Sequence, residues 1–269
     1  MDRTRAIAAS LASGLLLAAA VALSFATHAR NAVWSDQLAM WSDVVEKSPM
    51  KARAHLNYAI VLARQGQLDK ALDENMKAAA LSPGLAKAHF NIGAIYHLRG
   101  WADEAVEKYR LALSLDPQIA QARNNLGYAY YTQGLLDEAM EEYRLAIEIK
   151  PANTSSHINI GKIHADRGEL EKALEAYGKA LSYEPGNLVA GLGAGAALIA
   201  IDRHGEAESA LRETVRLNPG SAEAHYALGD VLMKSGKTDE ARAEFQTALR
   251  LDPSHEKAGE SLKGAYRAR

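Results

Sequence analysis

The prolines of this 269-residue chain recur at a fixed interval of 34 residues, and all seven fall in one register. Proline lacks a backbone N–H donor and clashes with the preceding turn of a helix, so each proline is expected to end a helix. A helix terminator at a constant 34-residue interval predicts stacked copies of one helix-turn-helix unit rather than a single globular core. The residues are Pro49, Pro83, Pro117, Pro151, Pro185, Pro219 and Pro253.

Alignment on the prolines divides residues 52–255 into six repeats, and repeat 3 shows their common pattern most clearly. Leu126 and Tyr130 lie at helical spacing, Gly134 suits a left-handed residue after the first helix, and Asp137 suits the N-cap of the second helix. Gly66, Gly100, Gly168 and Gly236 share the register of Gly134, and Asp69, Asp103 and Asp239 share that of Asp137. The repeats are 52–85, 86–119, 120–153, 154–187, 188–221 and 222–255.

The pattern of repeat 3 closely resembles the tetratricopeptide repeat. The residues that carry this resemblance are Leu126, Gly127, Tyr130, Gly134, Ala139, Tyr143, Ala146 and Pro151. The resemblance extends over residues 34–269 and implies an all-α fold, a right-handed superhelical solenoid of antiparallel helix pairs.

Both ends of the array are expected to carry caps, because terminal repeats would otherwise expose an apolar face. Residues 31–51 are predicted to form a half-repeat whose second helix buries a stripe of Trp34, Leu38, Trp41 and Val45. Residues 256–269 are predicted to form a charged capping helix, with Leu262 and Tyr266 facing inward.

Residues 1–30 carry a separate signal. Residues 6–27 contain no charged side chain, and Arg3 and Arg5 precede them. The length favours an uncleaved membrane helix with a cytoplasmic N-terminus, while the small residues near position 26 leave a cleaved export signal as the alternative. The repeats are therefore expected to be extracytoplasmic, in the periplasm if the source is bacterial, and either membrane-anchored or secreted.

The composition argues against several classes of function. The net charge of −2 and the lack of a basic tract disfavour a nucleic-acid partner. The chain has no cysteine and no recognisable catalytic or nucleotide-binding motif, so we expect no enzymatic activity, cofactor or metal. Four histidines occupy the fourth position of their repeats, which indicates a packing role: His55, His89, His157 and His225.

Repeat 5 departs from the pattern, since Asp202 replaces the turn glycine and its first helix contains Gly191, Gly193 and Gly195. These glycines lack the spacing and the preceding strand of a nucleotide-binding loop. They are predicted to permit close helix packing, at a cost in helix propensity of about 1 kcal/mol each. Repeat 5 is therefore predicted to be the least stable repeat.

The resemblance also implies where a ligand would bind, because first helices line a concave groove in tetratricopeptide-repeat arrays. Four successive repeats place asparagine at the sixth position, and amides can pair with a peptide backbone of any sequence. Asparagine is also common at this position of the repeat, so a purely structural role stays open. The predicted groove residues are Asn57, Asn91, Asn125, Asn159, Arg53, Lys87, Asn124, Tyr128 and Tyr131.

The resulting hypothesis is a non-catalytic scaffold that binds an extended peptide or a partner helix in its concave groove. Groove positions occupied by Leu56, Ile60, Phe90 and Ala94 do not match a clamp for C-terminal carboxylates. Two alternatives stay open. One is an accessory region of an envelope glycan-handling or glycosyltransferase system, suggested by a short resemblance around residues 30–49 to some polytopic membrane proteins. The other is a self-assembly module that forms homo-oligomers.

Overall fold

The computed structural model describes residues 36–267 as α-helices joined by short turns, with no strand in that range. From the second helix to the thirteenth, helices of 13 and 14 residues alternate. The helices are α1 (Gln37–Lys47), α2 (Ala52–Arg64), α3 (Leu68–Leu81), α4 (Ala86–Leu98), α5 (Ala102–Leu115), α6 (Ala120–Thr132), α7 (Leu136–Ile149), α8 (Thr154–Asp166), α9 (Leu170–Tyr183), α10 (Leu188–Ala200), α11 (His204–Leu217), α12 (Ala222–Lys234), α13 (Thr238–Leu251) and α14 (Glu256–Arg267).

The helices form two compact bodies, an amino-terminal body that ends at Leu115 and a carboxy-terminal body that begins at Asp116. Within each body, consecutive helices pair as hairpins, and each hairpin packs against the next one along the chain. The prediction of an all-α fold of stacked helix pairs is confirmed.

The turn inside most hairpins depends on a glycine with a left-handed backbone. Gly134 has φ of 77°, which a residue without Cβ adopts at no steric cost. Its N–H donates to Tyr131 O and the next N–H donates to Tyr130 O, so the last carbonyls of α6 are satisfied. Gly66, Gly100, Gly168 and Gly236 have the same conformation, whereas in repeat 5 Asp202 adopts φ of 58°.

The predicted N-caps are wrong. The second helix of repeat 3 begins at Leu136, so Asp137 is its second residue, and the N-cap residue Leu135 makes no side-chain capping bond. Asp137 instead accepts a hydrogen bond at 2.7 Å from Arg167 of the following repeat, and Asp69 accepts one from Arg99 in the same way. An acidic residue in the first turn still complements the helix dipole.

Each hairpin is closed by a small residue that faces a large one. A Cβ on Gly127 would lie 2.8 Å from Cε1 of Tyr143, so only glycine lets the fully buried Tyr143 ring lie against α6. The same close approach recurs in the four pairs Gly93–Tyr109, Gly161–Tyr177, Gly195–Leu211 and Gly229–Phe245. Repeat 1 alone has a different pair at these positions, Ala59 and Asn75.

The histidines at the fourth position bridge consecutive repeats. The packing role predicted for them is incomplete, because each ring nitrogen Nε2 donates to the carbonyl of the proline that ends the preceding repeat. The distances are 2.8 Å for His55–Pro49, 2.9 Å for His89–Pro83 and His157–Pro151, and 3.2 Å for His225–Pro219. Arg123 makes the equivalent bond to Pro117 at 3.2 Å. In repeat 5 this position is Gly191, which has no side chain to form the bond.

Repeat 5 packs closely, as predicted. A Cβ on Gly191 would meet Thr214 at 2.4 Å, and one on Gly193 would meet Tyr177 at 2.6 Å. The glycines therefore let α10 approach α9 and α11.

The caps agree with the predictions only in part. Leu38 of α1 packs against the core of repeat 1, and Trp41 and Val45 are half-buried, while Trp34 lies outside the described residues. In α14 the buried residues are Ala258 and Ala265, whereas Tyr266 is 54% exposed, so its predicted inward position is wrong.

The predicted anchor or signal, residues 1–30, lies outside the described residues. Across residues 36–267, none of the helices has the length and apolar character needed to cross a membrane.

Candidate functional site

The predicted asparagines at the sixth position of repeats 1 to 4, called here the ladder asparagines, lie at equivalent positions of first helices and are all half-buried. Asn57 and Asn91 belong to the amino-terminal body, on α2 and α4, and Asn125 and Asn159 belong to the carboxy-terminal body, on α6 and α8. Asn91 Nδ2 donates to Asn75 Oδ1 at 3.1 Å. The first helices therefore present amides in both bodies.

In the carboxy-terminal body, the amides bond to one another. Asn124 Oδ1 accepts from Ser156 Oγ at 3.0 Å and, at a long 3.5 Å, from Asn159 Nδ2. Asn124 Nδ2 donates to Asn125 Oδ1 at 3.3 Å. Asn124 thus connects the two ladder residues of this body and fixes the orientation of their amides.

A polar cleft of about 270 Å³ opens beside this network. Thr154 in its wall is 5% exposed, and its Oγ1 has no hydrogen-bond partner. The cleft combines amides, one ammonium and one carboxylate, which suits a ligand with both donors and acceptors, such as a peptide backbone. Its lining residues are Gln121, Asn124, Asn125, Lys150, Ala152, Asn153, Thr154, Ser155 and Glu184.

The two predicted tyrosines lie together on α6. Their ring centroids are 6.4 Å apart, and Tyr128 is 38% exposed. Tyr131 donates its hydroxyl to Asp166 Oδ2 at 2.7 Å. This hydrogen bond, with a smaller effect of burial, raises the pKa of Tyr131, so the phenol stays neutral near pH 7. The pair forms a fixed aromatic surface.

The amino-terminal body has a cleft of different character, also about 270 Å³. Apolar side chains form most of its wall, and the amides of Asn75 and Asn91 and the guanidinium of Arg64 form its polar part. Leu98 in this wall is 68% exposed. Arg53 and Lys87 are exposed in the first turns of α2 and α4. The lining residues are Ala59, Ile60, Ala63, Arg64, Leu68, Asn75, Asn91, Ala94, Ile95 and Leu98.

Several residues of these clefts are missed by sequence reasoning restricted to first helices. Asn75 lies on a second helix, and Lys150, Thr154 and Glu184 lie at or near the turns between repeats. A comparison of all positions in the 34-residue register identifies Asn75, because the other repeats have Tyr, Leu or Phe there. No comparable periodic signal marks the turn residues.

Within residues 36–267, no group of three or more His, Asp or Glu side chains is arranged to hold a metal ion.

Family comparisons place the chain among tetratricopeptide-repeat proteins. A tetratricopeptide-repeat profile matches residues 38–86 and a second TPR profile matches residues 95–134. A profile described as the C-terminal domain of cilia and flagella-associated protein 70 matches residues 118–269, more than half of the chain. The chain therefore belongs to the family that this profile describes, and the two shorter profiles identify its repeats as tetratricopeptide repeats. No curated protein matches the sequence significantly.

Solved structures share the fold at low sequence identity. A chain of the APC/C hetero-tetramer Cut9–Hcn1 superposes with a TM-score of 0.70 at 18% identity, over 87% of this chain and 46% of that one. PilF of Pseudomonas aeruginosa gives 0.69 at 20% identity, over 78% of this chain and 95% of that one. YrrB, a TPR protein with an unusual peptide-binding site, gives 0.50 at 19% identity, over 83% and 97%. The present chain thus spans less than half of the APC/C chain, and these likenesses concern the fold alone.

Proposed function

We propose that this protein is a non-catalytic scaffold that binds an extended segment of a partner polypeptide on the first-helix faces of its repeats. The observation that carries the proposal is the amide network of Asn124, Asn125 and Asn159 beside a polar cleft. The amides of Gln121, Asn124 and Asn125 line this cleft and offer a ligand both donors and acceptors. The peptide-binding site reported for YrrB is consistent with this use of the fold.

The backbone of an extended peptide fits these groups because each residue offers one donor and one acceptor. The fixed pair of Tyr128 and Tyr131 adds aromatic contact area at a low cost in side-chain entropy. The ligand would therefore be recognised largely through its backbone, with side-chain preferences added by the clefts.

Selection of random peptides displayed on phage against the full-length protein tests the proposal. The test variant changes Asn91, Asn125 and Asn159 together to Ala. The matched control changes three amides outside both clefts, Gln65, Gln118 and Gln246, to Ala. We expect selected peptides to bind the control as they bind the wild type and to lose about tenfold or more in affinity on the test variant. Equal affinity for both variants would refute the placement of the site.

We also propose that residues 1–30 tether the repeats to a membrane on its extracytoplasmic side. The uncharged run of residues 6–27 behind Arg3 and Arg5 supports this orientation. Once the outer layer of the cells is permeabilised, added protease should digest the repeats of a tethered protein. Complete protection of the repeats under this condition would contradict the orientation.

A further inference from the structure

Repeat 1 lacks the large side chain with which the other repeats fill their hairpins. Its residue at that position, Asn75, is 1% exposed. The Asn75 Nδ2 donates to Ala71 O at 2.8 Å and its Oδ1 accepts from Asn91 at 3.1 Å. Both polar atoms of the Asn75 amide are thus hydrogen-bonded, although the side chain is shorter than the Tyr, Leu or Phe of the other repeats.

The cleft of the amino-terminal body lies at this position. Ala59, Asn75 and Asn91 all line it, together with Ile60 and Ile95. Its volume of about 270 Å³ corresponds to about nine waters at about 30 Å³ each, enough for one large side chain. The shorter Asn75 side chain therefore leaves accessible space that the aromatic residue occupies elsewhere.

One charged side chain lines the cleft, and two further cations lie on the same first helices. Arg64 lines it, and Arg53 and Lys87 occupy groove positions of the same two repeats. All three are exposed, and none of them takes part in an ion pair among residues 36–267. No acidic residue lines the cleft. An unpaired guanidinium in the wall of an apolar cleft favours an occupant with an acidic flank.

We propose that this cleft binds one large apolar side chain of the partner polypeptide, in a segment whose neighbouring residues are acidic. The side chain would contact Ile60, Ala94 and Leu98, and Asn91 would bond to the adjacent backbone. Arg64 would pair with an acidic flank. The inference rests on the proposed function, because it assigns a specificity pocket to the first helices of the amino-terminal body.

Exchange of residue pairs between repeats provides the central test. The double variant Ala59→Gly/Asn75→Tyr gives repeat 1 the glycine–tyrosine pair of repeats 2 to 4, so the new ring fills the cleft while the glycine leaves room for it. The matched control, Leu211→Tyr, introduces a tyrosine at the same register beside Gly195 in repeat 5, away from the cleft. Circular dichroism and thermal melting check that each full-length variant is folded.

The probes are short synthetic fluorescent peptides with a central tryptophan flanked on both sides by glutamates. Matched peptides replace the tryptophan by alanine or the glutamates by lysines. We expect fluorescence anisotropy to show binding of the first peptide to the wild type and to Leu211→Tyr. Affinity should be lower by about tenfold or more for either matched peptide, and for the first peptide on Ala59→Gly/Asn75→Tyr.

A second variant keeps the inference testable if the double variant does not fold. Arg64 is exposed, so Arg64→Glu should fold normally, lose affinity for the glutamate-flanked peptide and gain affinity for the lysine-flanked one. The difference in affinity between the two peptides should become smaller as salt is added. Unchanged preference would overturn the proposed charge recognition.

Three outcomes would overturn the inference: no binding of the tryptophan peptide to the wild type, equal binding of the alanine peptide, or undiminished binding to the filled cleft. Failure of the scaffold function has a different signature, namely insensitivity of phage-selected peptides to the triple asparagine change. If those peptides depend on the asparagines but not on the filled cleft, the scaffold function stands and the pocket does not.

Discussion

Replacement of Gly127 by Ala has two opposing effects on the free energy of unfolding, and both are of known size. Alanine has the higher helix propensity, by about 1 kcal/mol in a helix interior. However, its Cβ would lie 2.8 Å and 2.9 Å from Cε1 and Cδ1 of Tyr143 and 3.1 Å from the backbone oxygen of Ala139. Tyr143 is fully buried, so its ring cannot move into solvent, and relief requires α6 and α7 to separate.

Overpacking of this kind costs about 1 to 3 kcal/mol. After the gain in propensity, we expect Gly127→Ala to lower the free energy of unfolding by up to about 2 kcal/mol. Gly178 of α9 is the matched control, because it is exposed and a Cβ there meets no atom within 4 Å. Gly178→Ala should therefore raise the free energy of unfolding by up to about 1 kcal/mol.

Urea and thermal unfolding of the full-length variants, followed by circular dichroism, measure the difference. Each kcal/mol should shift the melting temperature by about 2 to 4 °C in a chain of this size. If Gly127→Ala is as stable as Gly178→Ala, the contact with the Tyr143 ring does not require glycine and the reasoning fails.

Three further predictions concern single side chains. Tyr143→Phe should raise the free energy of unfolding by about 1 kcal/mol in urea denaturation, because burial raises the pKa of Tyr143 and leaves its neutral hydroxyl without a partner; a decrease would mean that the hydroxyl is bonded in solution. Asp202→Gly should raise it by about 1 kcal/mol by the same measurement, because φ of 58° costs an L-residue energy, and a lower value would contradict this. Burial raises the pKa of Glu74, but hydrogen bonds from Lys77 and His55 outweigh it and hold the pKa below 4.5. The folded-state pKa thus lies below the unfolded one, so this stabilisation is complete above pH 4.5 and is lost as pH falls through the lowered pKa. Glu74→Gln should therefore flatten the acid side of the stability profile, and an unchanged profile would refute the assignment.

Most of the fold could be predicted from the sequence, because its determinants are local and repeated. Proline and glycine act through the backbone of their own turn, so their register was enough to predict the hairpins. The error at Asp137 is a shift of two residues: Leu136 already has helical geometry, and no side-chain bond at the N-cap residue Leu135 marks the boundary. Periodicity identifies a helix more reliably than its first residue.

The candidate site was less predictable. The first-helix positions of Asn91 and Asn125 followed from the resemblance, but the bonds of Asn91 to Asn75 and of Asn125 to Asn124 depend on side-chain geometry. A deviation such as Asn75 has no meaning in one repeat alone. The deviation can be interpreted only when the packing shows that the residue at this position normally fills the hairpin.

The missing bond at Gly191 has a consequence for dynamics. In a linear array, each junction contributes separately to cooperativity, so the array opens first at its weakest junction. Helix α10 lacks the side-chain bond to the preceding turn that His157 and His225 supply in repeats 4 and 6. Repeat 5 bonds to that turn from Asn218 instead, whose Nδ2 donates to Gly186 O at 3.2 Å. Native-state hydrogen exchange should therefore be fastest among the interior amides of α10 and α11. Opening there would leave the polar cleft in repeats 3 and 4 intact, so a partner could remain bound while the last repeats detach and rejoin.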